Sequence, residues 1–189
     1  MRGRIRRQSG QRCESASSIV ELDCGICRVR SWRSTDRDVL ARHADNPKVA
    51  VNLRDRFPNP YTLADADAWL KLASETQPET NFAIELDGAA VGGIGFEILD
   101  DFDRCSAEIG YWLGQSVWGR GLATAALRAV TDYAFANHSL TRIFAIPFEG
   151  NARSRRVLET AGYAFEGIMR RSVRKRGIVI DAALYAVTR

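Results

Sequence analysis

Residues 116–130, SVWGRGLATAALRAV, place two glycines where a helix should begin. Leu122, Ala126, Ala129, Val130 and Tyr133 recur at three- and four-residue spacing, the apolar stripe of an amphipathic helix. The alanines at 123, 125, 126 and 129 are the strongest helix formers available. Gly119 and Gly121 each cost about 1 kcal/mol against alanine in a helix interior, so propensity does not explain them. Ser116 lacks the Glu or Gln three positions on that completes a capping box, because Gly119 stands there. The amides of Gly119, Arg120, Gly121, Leu122, Ala123 and Thr124 are therefore predicted to lack side-chain partners. Bare N–H groups at the positive end of a helix dipole, with no Cβ in the way, suit an anion, and phosphate best. An ordinary glycine turn ahead of a buried helix is the competing reading.

Two phosphate motifs fail on these residues. A P-loop needs G-x-x-x-x-G-K-S/T; Gly114 and Gly119 fit, but Arg120 and Gly121 replace the lysine and the hydroxyl. A dinucleotide fingerprint G-x-G-x-x-G breaks at Thr124 and would sit past mid-chain, outside the first strand–helix unit.

The elements that must position this turn are readable in order. IVEL and ICRVRSW form a hairpin, followed by a short helix over 35–44 and a proline-punctuated loop, NPKVAVNLRDRFPNPY, with room for one helical turn. A helix over 62–74 has Thr62 as cap and Asp65 in its first turn. Strands NFAIEL, AVGGIGFEI and CSAEIGYWL precede the glycine-initiated helix, and LTRIFAIP follows it. NARSRRVLETAG is a short helix capped by Asn151 and stopped by Gly162, and two strands joined near Gly177 close the chain. The expectation is a mixed α/β (α+β) domain of about seven strands and four helices around one sheet. The anion-ready helix start would lie at the carboxyl end of a strand, where open α/β sheets bind ligands.

Bulk properties fit one globular domain over residues 19–189 behind a basic, disordered tail over 1–18. The chain has 189 residues, 46% hydrophobic and 26% charged. No run is long enough to span a bilayer, and the first eighteen residues lack the apolar core of a secretory signal. Net charge is +4, concentrated in five arginines among the first twelve residues and five bases in RRSVRKR at 170–176. No recognition motif accompanies that charge, so a tail and a solvated hairpin tip are favoured, with a basic nucleic-acid-associated protein kept as an alternative reading. Cys13, Cys24, Cys27 and Cys105 suit a reducing compartment, the cytoplasm, better than a disulfide scaffold. CGIC at 24–27 sits where a hairpin turns, and its cysteines read as structural. The scattered His43 and His138 complete no zinc set, and no metal is expected.

With these residues in view, the sequence resembles the GNAT acetyltransferases, closest to the ribosomal-protein-alanine N-acetyltransferase branch. WGRGLA at 118–123 is similar to the family's phosphate signature Q/R-x-x-G-x-G/A, with Trp118 in the first position. AEIGYWL is similar to the strand before it, and NARSRRVLETAGYAFEG to the family's N-x-x-S…G-F/Y…E-G segment. The resemblance covers about residues 19–189. It implies a GNAT-like fold whose splayed central strands hold acetyl-coenzyme A, the pyrophosphate resting on the amides of residues 119–124, with Trp118 beside them and Arg120 at the rim. It places the backbone of Leu113 at the thioester oxygen, and gives Asn151 a pantetheine contact besides its capping role.

The activity so implied is transfer of an acetyl group to a primary amine, either a protein N-terminus or a small molecule. The amine must be neutral to attack; an α-amine titrates near about 7.7–8 and a lysine amine near about 10.4, so the former needs less help. Glu108 is the expected base, against a structural role paired to an arginine. The family's usual acid, a tyrosine seven residues after the asparagine, is replaced by Leu158. Ser154, one turn earlier on the same face, is the expected substitute. Asn52, Arg54, Phe57, Tyr61 and Tyr111 are the expected acceptor contacts, and the acidic LDDFD at 99–103 is a candidate for the entrance. Besides the amine acceptor, the partner left open is a second copy of the chain. Leu158 also supports a second reading, a catalytically weak acyl-coenzyme A binder of the same fold.

Overall fold

The computed structural model describes residues 19–189. The predicted basic tail, with Cys13, lies outside the described residues. Eight strands form one sheet: β1 (Glu21–Asp23), β2 (Arg28–Ser31), β3 (Asn81–Leu86), β4 (Ala89–Ile98), β5 (Ser106–Leu113), β6 (Arg142–Ala145), β7 (Ala164–Lys175) and β8 (Ile178–Thr188). Their order is β1-β2-β3-β4-β5-β6-β8-β7. The α-helices are α1 (Arg37–Ala44), α2 (Pro47–Ala50), α3 (Leu63–Glu75), α4 (Leu122–Asn137) and α5 (Ala152–Ala161). The rounded expectation of about seven strands becomes eight: every expected strand segment forms, including the short β1, which registers with β2 from Glu21 opposite Arg30 to Asp23 opposite Arg28. The fifth helix is the single turn α2, which starts on Pro47 with the Asn46 side chain accepting from the Lys48 amide at 2.9 Å.

Strands β1 to β5 run antiparallel to their neighbours, and β5 then pairs parallel with β6 across the α4 crossover. The side-chain alternation of strands sorts their residues onto two helical layers. On one face α4 and α5 bury Leu122, Ala126, Leu127, Val130 and Leu158 against Ile84, Ile94, Ile109 and Ile143. On the other, Leu40, Ala44, Tyr61, Ala66 and Leu70 of the α1–α3 region gather with Trp32, Phe57, Trp69 and Trp112. The helix ends follow their sequence signals. Thr62 and Asp65 form a reciprocal capping box on α3, and Gly162 ends α5 at φ +98°.

Candidate active site

Strand β5 decides where a ligand can enter. On one side it pairs with β4 along its whole length, from Ala107 opposite Ile98 to Leu113 opposite Gly92. On the other, its pairing with β6 covers only Ser106, Ala107 and Glu108. From Ile109 onward the sheet is split. The hydrogen bonds flanking the antiparallel pair, Leu99 N–H to the Ser106 carbonyl and Gly114 N–H to the Val91 carbonyl, set the alternation. Residues 106, 108, 110, 112 and 114 turn their amides to β4. Ala107, Ile109, Tyr111 and Leu113 turn theirs toward the split, so the Leu113 N–H aims into the gap.

The glycine turn lies at the end of this strand. Gly119 and Gly121 have φ +78° and +81°, a region that only glycine enters without strain, and Gly121 is the cap residue of α4. The first satisfied amide of the helix is that of Ala125, which donates to the Gly121 carbonyl at 3.1 Å. Among the described residues, no protein acceptor meets the amides of residues 119–124. Backbone N–H groups presented by a turn with positive φ at alternate residues form a concave anion site. Leu122 and Ala123 are buried in the core, so only their backbones face the site, while Arg120 is exposed at the rim.

Trp118 braces the turn as well as standing beside it. Its indole N–H donates to the Leu113 carbonyl at 2.8 Å, tying the end of β5 to the glycine turn. The Arg153 guanidinium sits 5.1 Å from the Trp118 ring. That brings a second cation beside the turn, from a residue the sequence reading passed over because nothing local distinguishes it in an arginine-rich helix.

The two faces of β5 carry two separate groups. Glu108 and Trp112 face the α1–α3 layer. There the Glu108 carboxylate accepts from the Arg54 guanidinium, with the Glu108 side chain 27% exposed. Trp112 meets Phe57 edge-on at 5.6 Å between ring centres. Arg54 thus contacts Glu108, and Phe57 contacts Trp112 on the same face of β5. The segment is held from the far side too: the Lys175 ammonium pairs with Asp55 at 2.9 Å, and the Arg176 amide donates to Asp55 at 3.1 Å. The basic RRSVRKR run is therefore in part a clamp that ties the β7–β8 hairpin to the loop at Leu53 and Asp55.

Two expected acceptor contacts need correction. Tyr61 is 7% exposed; its ring lies 5.1 Å from that of Phe57, its amide donates to Asp45 at 3.0 Å, and burial pushes its phenol up to about 12. It supports the loop from beneath. Tyr111 faces away from Arg54, toward α5, where its hydroxyl lies 2.9 Å from the Ser154 hydroxyl and donates to the Ser154 carbonyl at 3.1 Å. Burial raises the Tyr111 phenol to about 12 although the Ser154 hydrogen bond opposes the shift.

Asn151 caps α5, its side chain accepting from the Ser154 amide at 3.1 Å. Leu158 is fully buried in the larger core, which explains the missing tyrosine in space: one turn past Ser154, the same helix face has passed from the gap into packing. The acidic turn over 99–103 lies at the opposite end of β5 from Leu113, so it does not border the glycine turn. Among the described residues, no group of His, Cys, Asp and Glu could hold a metal ion, and no helix is long and apolar enough to cross a membrane.

A split sheet, a glycine-started helix at its foot and a carboxylate on the strand between them define an acyltransferase of the GNAT type. The model of the acetyltransferase (GNAT) domain matches residues 27–164, and the chain belongs to that family. An N-acetyltransferase of Bacillus licheniformis, p20, is 28% identical over 166 residues, covering 84% of this chain and 90% of p20. The ribosomal-protein-serine acetyltransferase of Escherichia coli is 29% identical over 105 residues, 56% of this chain and 58% of that protein. The structure of Mycobacterium smegmatis RimJ in complex with coenzyme A disulfide superimposes with a TM-score of 0.78 at 28% identity, covering 90% of this chain and 86% of that one. Within the family, the chain falls with the ribosomal-protein N-acetyltransferase branch.

Proposed function

We propose that the protein transfers the acetyl group of acetyl-coenzyme A directly to a primary amine, with a polypeptide α-amine as the preferred class. The observation that carries this reading is the row of amides at 119–124 without acceptors, set at the open end of the split sheet. These amides would take the pyrophosphate, Arg120 and Arg153 would add charge beside it, and the Leu113 N–H would polarise the thioester oxygen. Related proteins bound to coenzyme A or acetyl-coenzyme A support the choice of acyl donor.

Glu108 takes a proton from the incoming ammonium, directly or through water, after the acceptor displaces or shares Arg54. An α-amine titrates near about 7.7–8 and needs only modest help; a lysine amine, near about 10.4, needs more. The departing thiolate takes its proton from Ser154, whose hydroxyl is bonded to the neutral Tyr111 phenol. The test is coenzyme A thiol release from acetyl-coenzyme A across a panel of peptides with free N-termini, lysine-only peptides and small amines. Release with N-terminal peptides alone supports the reading, and binding without release over the whole panel overturns it in favour of an acyl-coenzyme A binder.

A further inference from the structure

The C-x-x-C at the tip of the β1–β2 hairpin remains outside this chemistry, yet it touches the anion site. Cys24 N–H donates to the Cys27 carbonyl at 3.0 Å, and the Ile26 amide donates to the Cys24 carbonyl at 3.0 Å. The tight turn is set by Gly25 at φ +78°, whose amide donates to Asp23 at 2.8 Å. Cys24 and Cys27 stand opposite each other one step beyond the Asp23–Arg28 pair, joined by a single backbone hydrogen bond, and opposed residues of antiparallel strands have Cα atoms about 4.5–5.5 Å apart. That is inside the roughly 4.4–6.8 Å range that a disulfide spans. Both cysteines are free thiols, Cys24 half-buried and Cys27 buried.

The turn also leans on the start of α4. The Cys27 thiol donates to the Leu122 carbonyl at 3.8 Å, and the Ile26 Cδ1 lies 3.4 Å from where a Cβ on Gly121 would stand. A change at either sulfur therefore reaches the residues whose amides form the anion site.

We propose that Cys24 and Cys27 form a reversible disulfide whose closure weakens phosphate binding at the start of α4. Cys24 is the attacking sulfur: it is the more exposed of the two, and the neighbouring Cys27 side chain lowers its pKa. Its thiolate attacks a low-molecular-weight disulfide, RSSR, forming a mixed disulfide and releasing one thiolate. Cys27 then attacks the Cys24 sulfur and releases the second. Two protein thiols are oxidised, RSSR is reduced to two RSH, and the two cysteine protons end on those thiols. Drawing the Cys27 sulfur toward Cys24 takes it off the Leu122 carbonyl and shifts Ile26 against Gly121. The disulfide stands on the hairpin alone; its coupling rests on the coenzyme A reading above.

The experiment uses the full chain with Cys13→Ser and Cys105→Ser, equilibrated in glutathione redox buffers. Intact mass and thiol titration should show two hydrogens lost together and no retained glutathione. Affinity is then measured with the thiol-free nucleotide half of coenzyme A, which no redox buffer can alter. The reduced chain should bind about tenfold more tightly than the oxidised one, a coupling of ordinary size. By reciprocity the nucleotide should raise the midpoint potential of the pair by about 30 mV, the equivalent of tenfold for two electrons. A glutathione adduct on Cys24 without ring closure overturns the disulfide. Equal affinity in both redox states, with an unmoved midpoint, overturns the coupling. No nucleotide binding by the reduced chain overturns the coenzyme A reading and the coupling with it, while mass and thiol titre still decide the disulfide.

Discussion

Two polar regions of this molecule are built on opposite terms. Arg30 is 1% exposed, and four of its five N–H groups are bonded: to Asp36 at 2.7 and 2.8 Å, to the Ser31 carbonyl at 3.0 Å, and to Glu85. Asp36 and Glu85 are themselves buried. The turn at 119–121 is open, and among the described residues no protein acceptor meets the six amides of 119–124. Burying charge is tolerable only when pairing is complete, so the Arg30 cluster offers nothing to a ligand and holds β2, β3 and the start of α1 together. The glycine turn gives up local helix stability and leaves its donors facing outward. The contrast is between polarity paired within the protein and polarity left facing outward.

The largest expected effect breaks the first region. Arg30→Ala leaves buried Asp36 without its cation and Glu85 with only the half-exposed Arg33 at 3.5 Å, and should cost about 3–5 kcal/mol, read from the denaturant midpoint. Arg30→Met combined with Asp36→Asn and Glu85→Gln removes all the charge and should recover part of the loss. If Arg30→Ala unfolds at the parent midpoint, the cluster is not a structural linchpin.

Next in size is Glu108→Gln. General bases contribute about 10²–10⁴-fold, so kcat should fall by at least about 10²-fold at neutral pH and recover partly as the free amine grows at higher pH. Equal loss at every pH, with a lowered Tm, would mark Glu108 as merely the partner of Arg54.

Gly121 tests the second region directly. Gly121→Val forces a β-branched residue to φ +81°, against a Cβ position 3.4 Å from Ile26, and should weaken coenzyme A binding by more than about tenfold. Gly121→Asn separates the causes, since asparagine tolerates this conformation but still places a side chain over the amides. Parent-like affinity in Gly121→Val would show that the turn holds no phosphate.

How much of this was legible in the sequence depended on how locally each feature is encoded. Thr62, Asn151, Gly119, Gly121 and Gly162 act within their own turn, and all were assigned from type and spacing. The split beside β5 was expected from family resemblance, and the register confirms it in the loss of β6 pairing after Glu108. Arg30 was missed because its partner Glu85 is 55 residues away, on a strand that reads as apolar from either end. Tyr111 and Tyr61 were misplaced for a related reason. Both are aromatic residues near the right segments, but facing is set by strand parity for Tyr111 and by the Asp45 and Phe57 contacts for Tyr61.

The smallest expected effect concerns Ser154, because the group it serves leaves readily. A coenzyme A thiolate resembles a cysteine thiolate, with a pKa near about 8.5, and solvent can protonate it. Ser154→Ala should therefore lower kcat only severalfold, below the ~10²-fold that marks the low end of general-acid help, with acetyl-coenzyme A affinity nearly unchanged. The two catalytic candidates also differ in pH behaviour. Tyr111 remains a neutral donor until about pH 12, so a proton passed through the Tyr111–Ser154 pair stays available across the assay range. The loss in Ser154→Ala should then be flat with pH where that in Glu108→Gln is not. Restoring the family's tyrosine by Leu158→Tyr should fail to rescue it, since position 158 is sealed in the core and a phenol there must displace packing before it can reach the gap. Tyr111→Phe removes the phenol while keeping the ring, and should match Ser154→Ala in size. Unchanged kcat in both variants would leave solvent as the proton source and reduce the pair to a latch between β5 and α5.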